Sequence, residues 1–293
     1  MSLNIRSANA NIKKLLDHIT GMLEQPLIIA LQEIWSTDKA DRLVDSQHYK
    51  ITTQCRVKGR GGGVGFLIKR GVQYDVVEEC TFSRAGIGEA QTIWIKWGES
   101  SYYIINIYRK PLNNKTAHKD FLTMLNSLIK KVRKDSKNIE DIIVLGDFNI
   151  DLNQLSKDTH VNNFLGKLTE LGLSLCVTHP TRVVSVVLQD GSMKHTNTLI
   201  DNVLATKLYN TVHLPWSISD HRPILVNNLF TINSLMKKKD QLTYKKITFN
   251  QDNIIKYQNR LLSIEIPMPH EPIDPEAIFT NLSEAFEYAF PLE

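Results

Sequence analysis

The chain has 293 residues, 42% of them hydrophobic and 23% charged, with 35 basic against 31 acidic side chains for a net charge of +4. That is a globular composition, which excludes a disordered, collagen-like or low-complexity chain, and no run reaches the roughly 18 to 20 apolar residues of a membrane helix. The charge is uneven: residues 229–293 carry seven basic and nine acidic side chains, which leaves +6 on residues 1–228. A basic body with an acidic tail suits a polyanion-binding domain with an appendage, and on charge alone suits an ordinary basic protein as well. Cys55, Cys80 and Cys176 are odd in number and far apart, which fits a reducing compartment and no disulfide framework or zinc knuckle. Met1-Ser2-Leu3-Asn4 has neither the basic nor the apolar region of a signal peptide, so an intracellular protein is expected.

In chain order, Asn11–Met22 reads as a helix with Ile12, Leu15, Leu16 and Ile19 on one face. Strand-like segments follow at Pro26–Leu31, Lys50–Arg56, Gly63–Lys69, Tyr74–Cys80, Thr92–Trp97 and Tyr102–Tyr108, rich in Val, Ile, Tyr and Trp. Thr116–Lys134 predicts a helix with Phe121, Leu125, Leu128 and Val132 on one side, and with Lys130, Lys131, Arg133 and Lys134 on a solvated one. After a strand at Asp141–Leu145 comes a helix at Thr159–Leu171, then strands at Val183–Leu188, Thr198–Leu204, Thr211–Leu214 and Ile224–Asn227. Strands in runs with helices interposed argue for an α+β sandwich. Gln189-Asp190-Gly191-Ser192 reads as the turn of a hairpin that leads on to Met193-Lys194-His195. Beyond Leu229, Lys237-Lys238-Lys239-Asp240 reads as a linker to two amphipathic helices, Asn253–Ser263 and one opening at Asp274-Pro275. The organisation expected is therefore a domain at 1–228 and a helical tail at 229–293.

Three local patterns can carry chemistry. In Val144-Leu145-Gly146-Asp147-Phe148-Asn149 a buried-type strand ends in Gly, and period two points Asp147 and Asn149 to one side; a plain Asx turn is the alternative. Leu152 stands where a calcium loop needs Gly, so an EF-hand is rejected. In Ser219-Asp220-His221-Arg222-Pro223 the His is a candidate acid or electrophile, with Asp201 the best candidate to orient it. Glu33 closes the apolar strand Leu31-Gln32-Glu33 and suits a hard cation such as Mg²⁺, although a strand-end Glu can equally be a solvated one. Arg60-Gly61-Gly62-Gly63-Val64-Gly65 matches no phosphate loop and reads as a tight turn feeding a strand.

Taken as an ordered set, Leu3-Asn4-Ile5, Leu31-Gln32-Glu33, Asn106 to Pro111, Gly146-Asp147-Phe148-Asn149, Ile200-Asp201 and Ser219-Asp220-His221 resemble the endonuclease–exonuclease–phosphatase superfamily, which includes DNase I and the abasic-site endonucleases. Arg60–Gly63 before Val64-Gly65-Phe66, Ile93-Trp94-Ile95-Lys96, His179-Pro180-Thr181-Arg182 and Thr198–Asp201 resemble the endonuclease domain of LINE-type (non-LTR) retrotransposons. The resemblance covers about residues 3 to 228 and implies a DNase I-like four-layer α/β/β/α sandwich of two packed mixed sheets. Tyr244–Phe249 and Phe279–Pro291 resemble the connector to a reverse transcriptase, which the resemblance makes a partner beside DNA. The chain departs from the family in having only three residues before Asn4, Arg6 where some relatives carry an acid, and Gln91 where many have Glu, with Glu89 two residues earlier.

The activity implied is Mg²⁺-dependent hydrolysis of DNA phosphodiesters to 3′-hydroxyl and 5′-phosphate, with Mn²⁺ as the alternative metal, acting in the nucleus. Glu33 and Asn4 would hold the metal, with Asp220 a further ligand or an orienting group. Asp147 would deprotonate water, Asn149 would hold Asp147 or the phosphate by its amide, and His221 (oriented by Asp201) and Tyr108 would donate to the phosphate. Arg182, Lys194, His195, Thr198 and Arg222 are the expected DNA contacts. A catalytically impaired DNA-binding remnant and an inositol-phosphate or sphingomyelin phosphoesterase remain the alternatives.

Overall fold

Alternating apolar side chains build three cores, and the cores define the layers. The computed structural model describes residues 1–35, 44, 47–57, 61–111, 114–135, 139–155, 157–187, 192–227, 256–257, 259–260, 284–285 and 288–289. By backbone contacts the chain divides into Met1–Thr231 and Ile232–Glu293.

In the first unit, one sheet contains β1 (Ser2–Asn4), β2 (Ile28–Gln32), β3 (Tyr49–Gln54), β4 (Val64–Lys69), β14 (Thr211–His213) and β15 (Ile224–Val226), in the order β14-β15-β1-β2-β4-β3. The other contains β5 (Gln73–Val76), β6 (Phe82–Arg84), β7 (Gly88–Trp97), β8 (Ser100–Arg109), β9 (Ile139–Asp147), β10 (Ser174–Leu175) and β13 (Asp201–Ala205), in the order β10-β13-β9-β8-β7-β5 with β6 also on β7. Both sheets are mixed: β1–β2 and β8–β9 pair parallel, and the remaining pairs are antiparallel. A ribbon of β11 (Arg182–Val187) and β12 (Met193–Thr198) belongs to neither sheet.

Even-numbered Ile28, Ala30, Phe66 and Ile68 of the first sheet meet Ile93, Ile95, Ile104, Ile143 and Val203 of the second, forming the core between them. The odd partners Leu3, Ile29, Leu31 and Leu67 face outward onto α1 (Ala8–Thr20) through Ile12, Leu15 and Ile19. On the far side, Ile105, Ile107 and Val144 pack on α2 (Lys115–Asp135) and α3 (Thr159–Glu170) through Phe121, Leu125, Phe164 and Leu168. The order is thus α1, sheet, sheet, α2 with α3: the four-layer α+β sandwich expected. Each fully buried Leu, Ile or Phe stabilises this stack by about 1.5–3 kcal/mol before cavity effects. The helices start on polar caps: Ser7 Oγ accepts from Ala10 N, Asn114 Oδ1 from Ala117 N and Asp158 Oδ1 from His160 N. Lys130, Lys131, Arg133 and Lys134 are exposed as expected.

Three readings are corrected. Tyr74–Cys80 is not one strand: β5 stops at Val76, and a 3-10 turn at Glu78–Cys80 buries Cys80. Thr198–Leu204 is likewise divided, because Thr198 pairs with Arg182 in the ribbon while Asp201 starts β13 against Asp147. Strands β6 and β10 were not expected, and β1, which the family resemblance left as a clipped strand, lies inside its sheet between β2 and β15 though three residues long. Residues 189–191 of the hairpin turn, the Lys237–Asp240 linker and Asp274-Pro275 lie outside the described residues. In the second unit, Lys256, Tyr257, Asn259 and Arg260 are helical, as are Glu284, Ala285, Tyr288 and Ala289, with both alanines buried. No described helix is long and apolar enough to cross a membrane.

Candidate active site

The inward-facing positions are apolar along most of each strand and turn polar at one end of the sandwich. There Asn4, Gln32, Asn106, Tyr108, Asp147 and Asp201 replace aliphatic residues, and all are at most 5% exposed. Burying that many polar groups is costly unless each is bonded. Gln32 Nε2 donates to Asn106 Oδ1 at 2.7 Å, and Asn106 Nδ2 donates to the carbonyls of Leu31 and Gly65, which ties the two sheets together beneath the site.

Asn4 is the link between two carboxylates. Its Nδ2 donates to Glu33 Oε1 at 3.2 Å and to Asp147 Oδ2 at 2.8 Å, while its Oδ1 accepts from Arg6 N. Glu33 is partly exposed and its second oxygen accepts from Trp35 Nε1 at 2.8 Å. Tyr108 hydrogen-bonds to Glu33; burial first, then the charges of Glu33 and Asp147, push its hydroxyl far above the ordinary tyrosine range, so it stays protonated. The glycine turn reaches this cluster. Trp35 N and Ile34 N donate to the carbonyls of Gly62 and Gly63, and Gly63 N donates to Glu89. Glu89 also holds Arg56 through two nitrogens, at 2.7 and 3.1 Å, and Arg56 lies over the Tyr108 ring. Glu89 is therefore the acid of this wall, and Gln91 instead donates to Thr52 Oγ1.

Asp147 ends β9 directly after Gly146. That glycine has φ +143°, and a Cβ there would lie 1.9 Å from Ile107 O on the neighbouring strand, so only glycine fits. Asp147 Oδ1 accepts from Asn149 N at 2.9 Å, an Asx turn that serves the site. The main-chain N–H, not the side-chain amide, is thus what holds Asp147; the amide of Asn149 donates to Arg109 O, and Arg109 donates back to Asn149 O. Burial, followed by the charge of Asp201, pushes the Asp147 carboxyl up to about 7 against the pull of His221 and Asn4.

His221 Nδ1 lies 2.8 Å from Asp201 Oδ2. Thr181 Oγ1 donates to the same oxygen at 2.6 Å and accepts from Ile200 N and Asp201 N, so it fixes the pair. Burial pulls the imidazolium down, but the charge and hydrogen bond of Asp201, with Asp147 and Asp220, outweigh it and raise His221 to about 9. Ser219 Oγ donates to Asn4 O and accepts from His221 N, stitching this segment to β1. Asp220 is held by Arg6 at one oxygen and Arg182 at the other, at 2.8 and 2.7 Å. Burial opposes its ionisation, yet those two hydrogen bonds keep its carboxyl below the ordinary range. With both oxygens engaged, Asp220 orients arginines.

Among the described residues, the non-glycine positive φ angles fall at Arg6, Ser7, Glu33, Trp35 and Asn149, all just beyond β1, β2 or β9. Such angles cost about 1–3 kcal/mol each and persist where surroundings over-determine them; here Ser7 N is held by Glu33 O and Asn149 N by Asp147.

Of the expected DNA contacts, Lys194 and His195 are exposed on β12, Arg222 is exposed beside His221, and Arg182 and Thr198 form the foot of the ribbon. Lys194 and His195 share no contact with the buried cluster in these bonds; His195 Nδ1 pairs with Ser185 Oγ. Residues the motifs did not single out as site members are Trp35, Arg56, Glu89, Arg109, Thr181 and Ser219. Thr181, Arg109 and Ser219 lie in the His179–Arg182, Asn106–Pro111 and Ser219–His221 motifs, and Glu89 was flagged two residues before Gln91; Arg56, 33 positions from Glu89, had no signal.

The donor set fits a hard divalent cation: Glu33 offers a partly exposed carboxylate, and Asn4 places it next to Asp147. Asp147, Asp201 and His221 also bring one ligand atom each to within 4.8 Å of one another. In that second set, however, His221 Nδ1 and both Asp201 oxygens are already paired.

A sequence model described as the endonuclease/exonuclease/phosphatase family matches residues 1–221. Comparison with curated proteins gives no match. Among solved structures, the endonuclease domain of TRAS1, a telomere-specific non-LTR retrotransposon, superimposes with a TM-score of 0.57 at 14% identity, over 77% of this chain and 95% of that one. A 3′ phosphatase from Neisseria bound to a product DNA hairpin gives 0.51 at 17% identity, over 77% and 96%. A family protein from Leptotrichia buccalis gives 0.51 at 15% identity, over 77% and 97%. These likenesses establish the DNase I-like fold, and the sequence match over three quarters of the length, falling on every residue of the buried polar cluster, establishes that the chain belongs to the endonuclease/exonuclease/phosphatase family.

Proposed function

We propose that the chain is a Mg²⁺-dependent DNA endonuclease that leaves 3′-hydroxyl and 5′-phosphate ends, as in target-site nicking by a LINE-type retrotransposon. The observation that supports this reading is the continuous link Glu33–Asn4–Asp147 beside the Asp201–His221 pair, which suits a cation site, a base and a proton donor at one strand-end edge. Glu33, with Asn4 beside it, would hold the metal. Bound there, Mg²⁺ supplies Lewis-acid charge at the phosphate and the leaving oxygen, worth several kcal/mol.

Asp147 takes the proton of the attacking water, and its carboxyl near 7 is matched to that task at neutral pH. Asn149 keeps its carboxylate in place. His221, oriented through Nδ1 by Asp201, presents its other nitrogen as a charged donor to the non-bridging oxygen, and Tyr108 donates its retained proton. Asp220 holds Arg6 and Arg182 at the rim, where they and Arg222 offer charge to the backbone phosphates. The likeness to the TRAS1 endonuclease domain supports DNA as substrate, with Lys194, His195 and Thr198 of the ribbon contacting it. Residues 229–293 are read as the connector toward a reverse transcriptase, with action in the nucleus.

Nicking of supercoiled plasmid with and without Mg²⁺, beside phosphate release from soluble inositol phosphates, tests the reading. Mg²⁺-dependent nicking without phosphate release supports it. Phosphate release without nicking makes the chain a phosphatase, and DNA binding without either makes it a non-catalytic remnant.

A further inference from the structure

The glycine turn that feeds β4 matches no phosphate-binding loop, yet it touches the site from outside. A Cβ on Gly62 would lie 2.3 Å from the guanidinium carbon of Arg56, and one on Gly61 would lie 3.4 Å from Trp35 Nε1, so the turn runs between these two side chains. Gly62 has φ +73°, which suits glycine. Arg56 is held by Glu89 through two nitrogens, and Glu89 Oε2 also accepts from Gly63 N at 3.1 Å. The side chains of Arg56 and Glu89 are only 14% and 1% exposed, so the turn rests on an almost dry ion pair. Burial opposes the charge of Arg56, but the hydrogen bond and charge of Glu89, with Tyr108 and Glu33, outweigh it and keep the guanidinium ionised.

The turn in its turn holds the segment that carries Glu33. Trp35 N donates to Gly62 O at 3.0 Å and Ile34 N to Gly63 O at 3.3 Å. These bonds fall where the backbone is strained, since Glu33 and Trp35 have φ of +53° and +52°. Residues in that region persist only when their surroundings over-determine them. Trp35 Nε1 then donates to Glu33 Oε2 at 2.8 Å. A second path runs through Tyr108, whose ring centroid lies 5.7 Å from Arg56 and whose hydroxyl bonds to Glu33. Both paths start at the Arg56–Glu89 pair and end at the carboxylate placed to hold the metal.

We propose that Arg56 and Glu89 are positioning residues for the divalent cation: the pair clamps the glycine turn, the turn fixes the backbone of Ile34 and Trp35, and that backbone holds the Glu33 carboxylate ready for the metal. The proposal deepens the metal reading of Glu33 and rests on it. Charge and position have opposite consequences at Arg56. This guanidinium is a cation whose field reaches Glu33, so by charge alone its removal strengthens metal binding. As a clamp, its removal weakens it.

The test is a Mn²⁺ titration of the full chain without DNA, read from the electron paramagnetic resonance signal of free Mn²⁺, so that no turnover is needed. Outer partners of metal ligands are worth roughly 10- to 100-fold in metal affinity. Arg56→Gln is expected to weaken Mn²⁺ binding at least about tenfold, against the direction of charge. The double variant Arg56→Gln with Glu89→Gln leaves the net charge unchanged and is expected to lose affinity to a similar extent. Losing one partner of a buried pair is destabilising, so melting temperatures are recorded in parallel. Should both variants be unfolded at the temperature of the titration, Arg56→Lys decides, since it keeps the charge but not the two-nitrogen fork, and weaker binding is expected of it too. Unchanged or tighter binding in a folded Arg56→Gln overturns the proposal, as does wild-type affinity in the folded double variant or in Arg56→Lys. Glu33→Ala is titrated alongside. If the wild type binds no Mn²⁺, or binding survives Glu33→Ala, the metal reading falls and the proposal with it; Glu33-dependent binding that the Arg56 variants retain overturns the positioning role alone.

Discussion

The strand-end cluster and the β11–β12 ribbon are both built from paired strands, yet they are opposite in character. In the cluster, Asn4, Asp147, Asp201 and His221 are at most 4% exposed and every carboxylate is held by a named partner. In the ribbon, Met193, Lys194, His195, Thr196 and Asn197 are all exposed, and its two described strands pair with each other, while Arg182 at the foot meets His221 and Asp220. Buried, cross-bonded groups hold the sub-ångström geometry that proton transfer and charge stabilisation demand. An exposed ribbon outside both sheets can change residues without disturbing a core. On the proposed reading, the first region carries the chemistry and the second the choice of target.

The largest effect that sharpens this division is loss of the cluster's reacting groups. Asp147→Ala and His221→Ala are each expected to lower plasmid nicking by at least about 100-fold. Their melting temperatures should stay near that of the wild type. Either variant retaining more than about a tenth of the activity breaks the assignment.

Next comes Gly146→Ala. The backbone there is at φ +143° and a Cβ would collide with Ile107 O, so the strand pair must separate. Strain of this kind costs on the order of 1–3 kcal/mol or more. Chemical denaturation should show that loss together with reduced activity, since Asp147 moves with the strand. An unchanged midpoint and rate would mean that the turn tolerates a side chain and does not fix Asp147.

The pH profile follows. Asp147 acts as base only when ionised and His221 as donor only when protonated, so nicking should rise as pH increases through the raised Asp147 value and fall as it passes about 9. Asp201 is the largest counterweight to burial at this imidazole. In Asp201→Asn the folded value drops, and the alkaline fall should begin at lower pH. A profile that does not move on this substitution separates His221 from the acid role.

The smallest change in rate is expected from the ribbon. Replacing residues 187–194 with a short Gly-Ser turn should leave nicking chemistry in place and alter the cut-site pattern mapped on one plasmid. An identical pattern at an unchanged rate shows that the ribbon does not select targets.

Much of the catalytic end was legible because its residues close strands with strong signals. Asp147 follows the apolar run Ile142–Leu145, and Asp201 and His221 sit in short ordered motifs. An α+β sandwich followed from runs of strands with three helices interposed, and its four layers from the family resemblance. What was missed has physical causes. β1 is three residues long and has no period to read; its place is set by pairing with β2 and β15. Glu89 and Arg56 meet only once β7 folds over the glycine turn, and neither lies in a pattern of its own. Asp220 as a metal ligand was an equal option by residue type, and only Arg6, 214 positions away, and Arg182 reveal it as an anchor for guanidinium groups.

The central claim is that Glu33 holds the cation while Asp147 serves as base, two roles joined by the Asn4 amide. The most direct measurement is the nicking rate across a Mg²⁺ titration for the wild type, Glu33→Ala and Asp147→Ala. The account predicts that Glu33→Ala moves the half-saturating Mg²⁺ concentration upward as well as lowering the rate, while Asp147→Ala lowers the rate by at least about 100-fold across the whole titration. A Glu33→Ala curve that saturates at the wild-type Mg²⁺ concentration contradicts it.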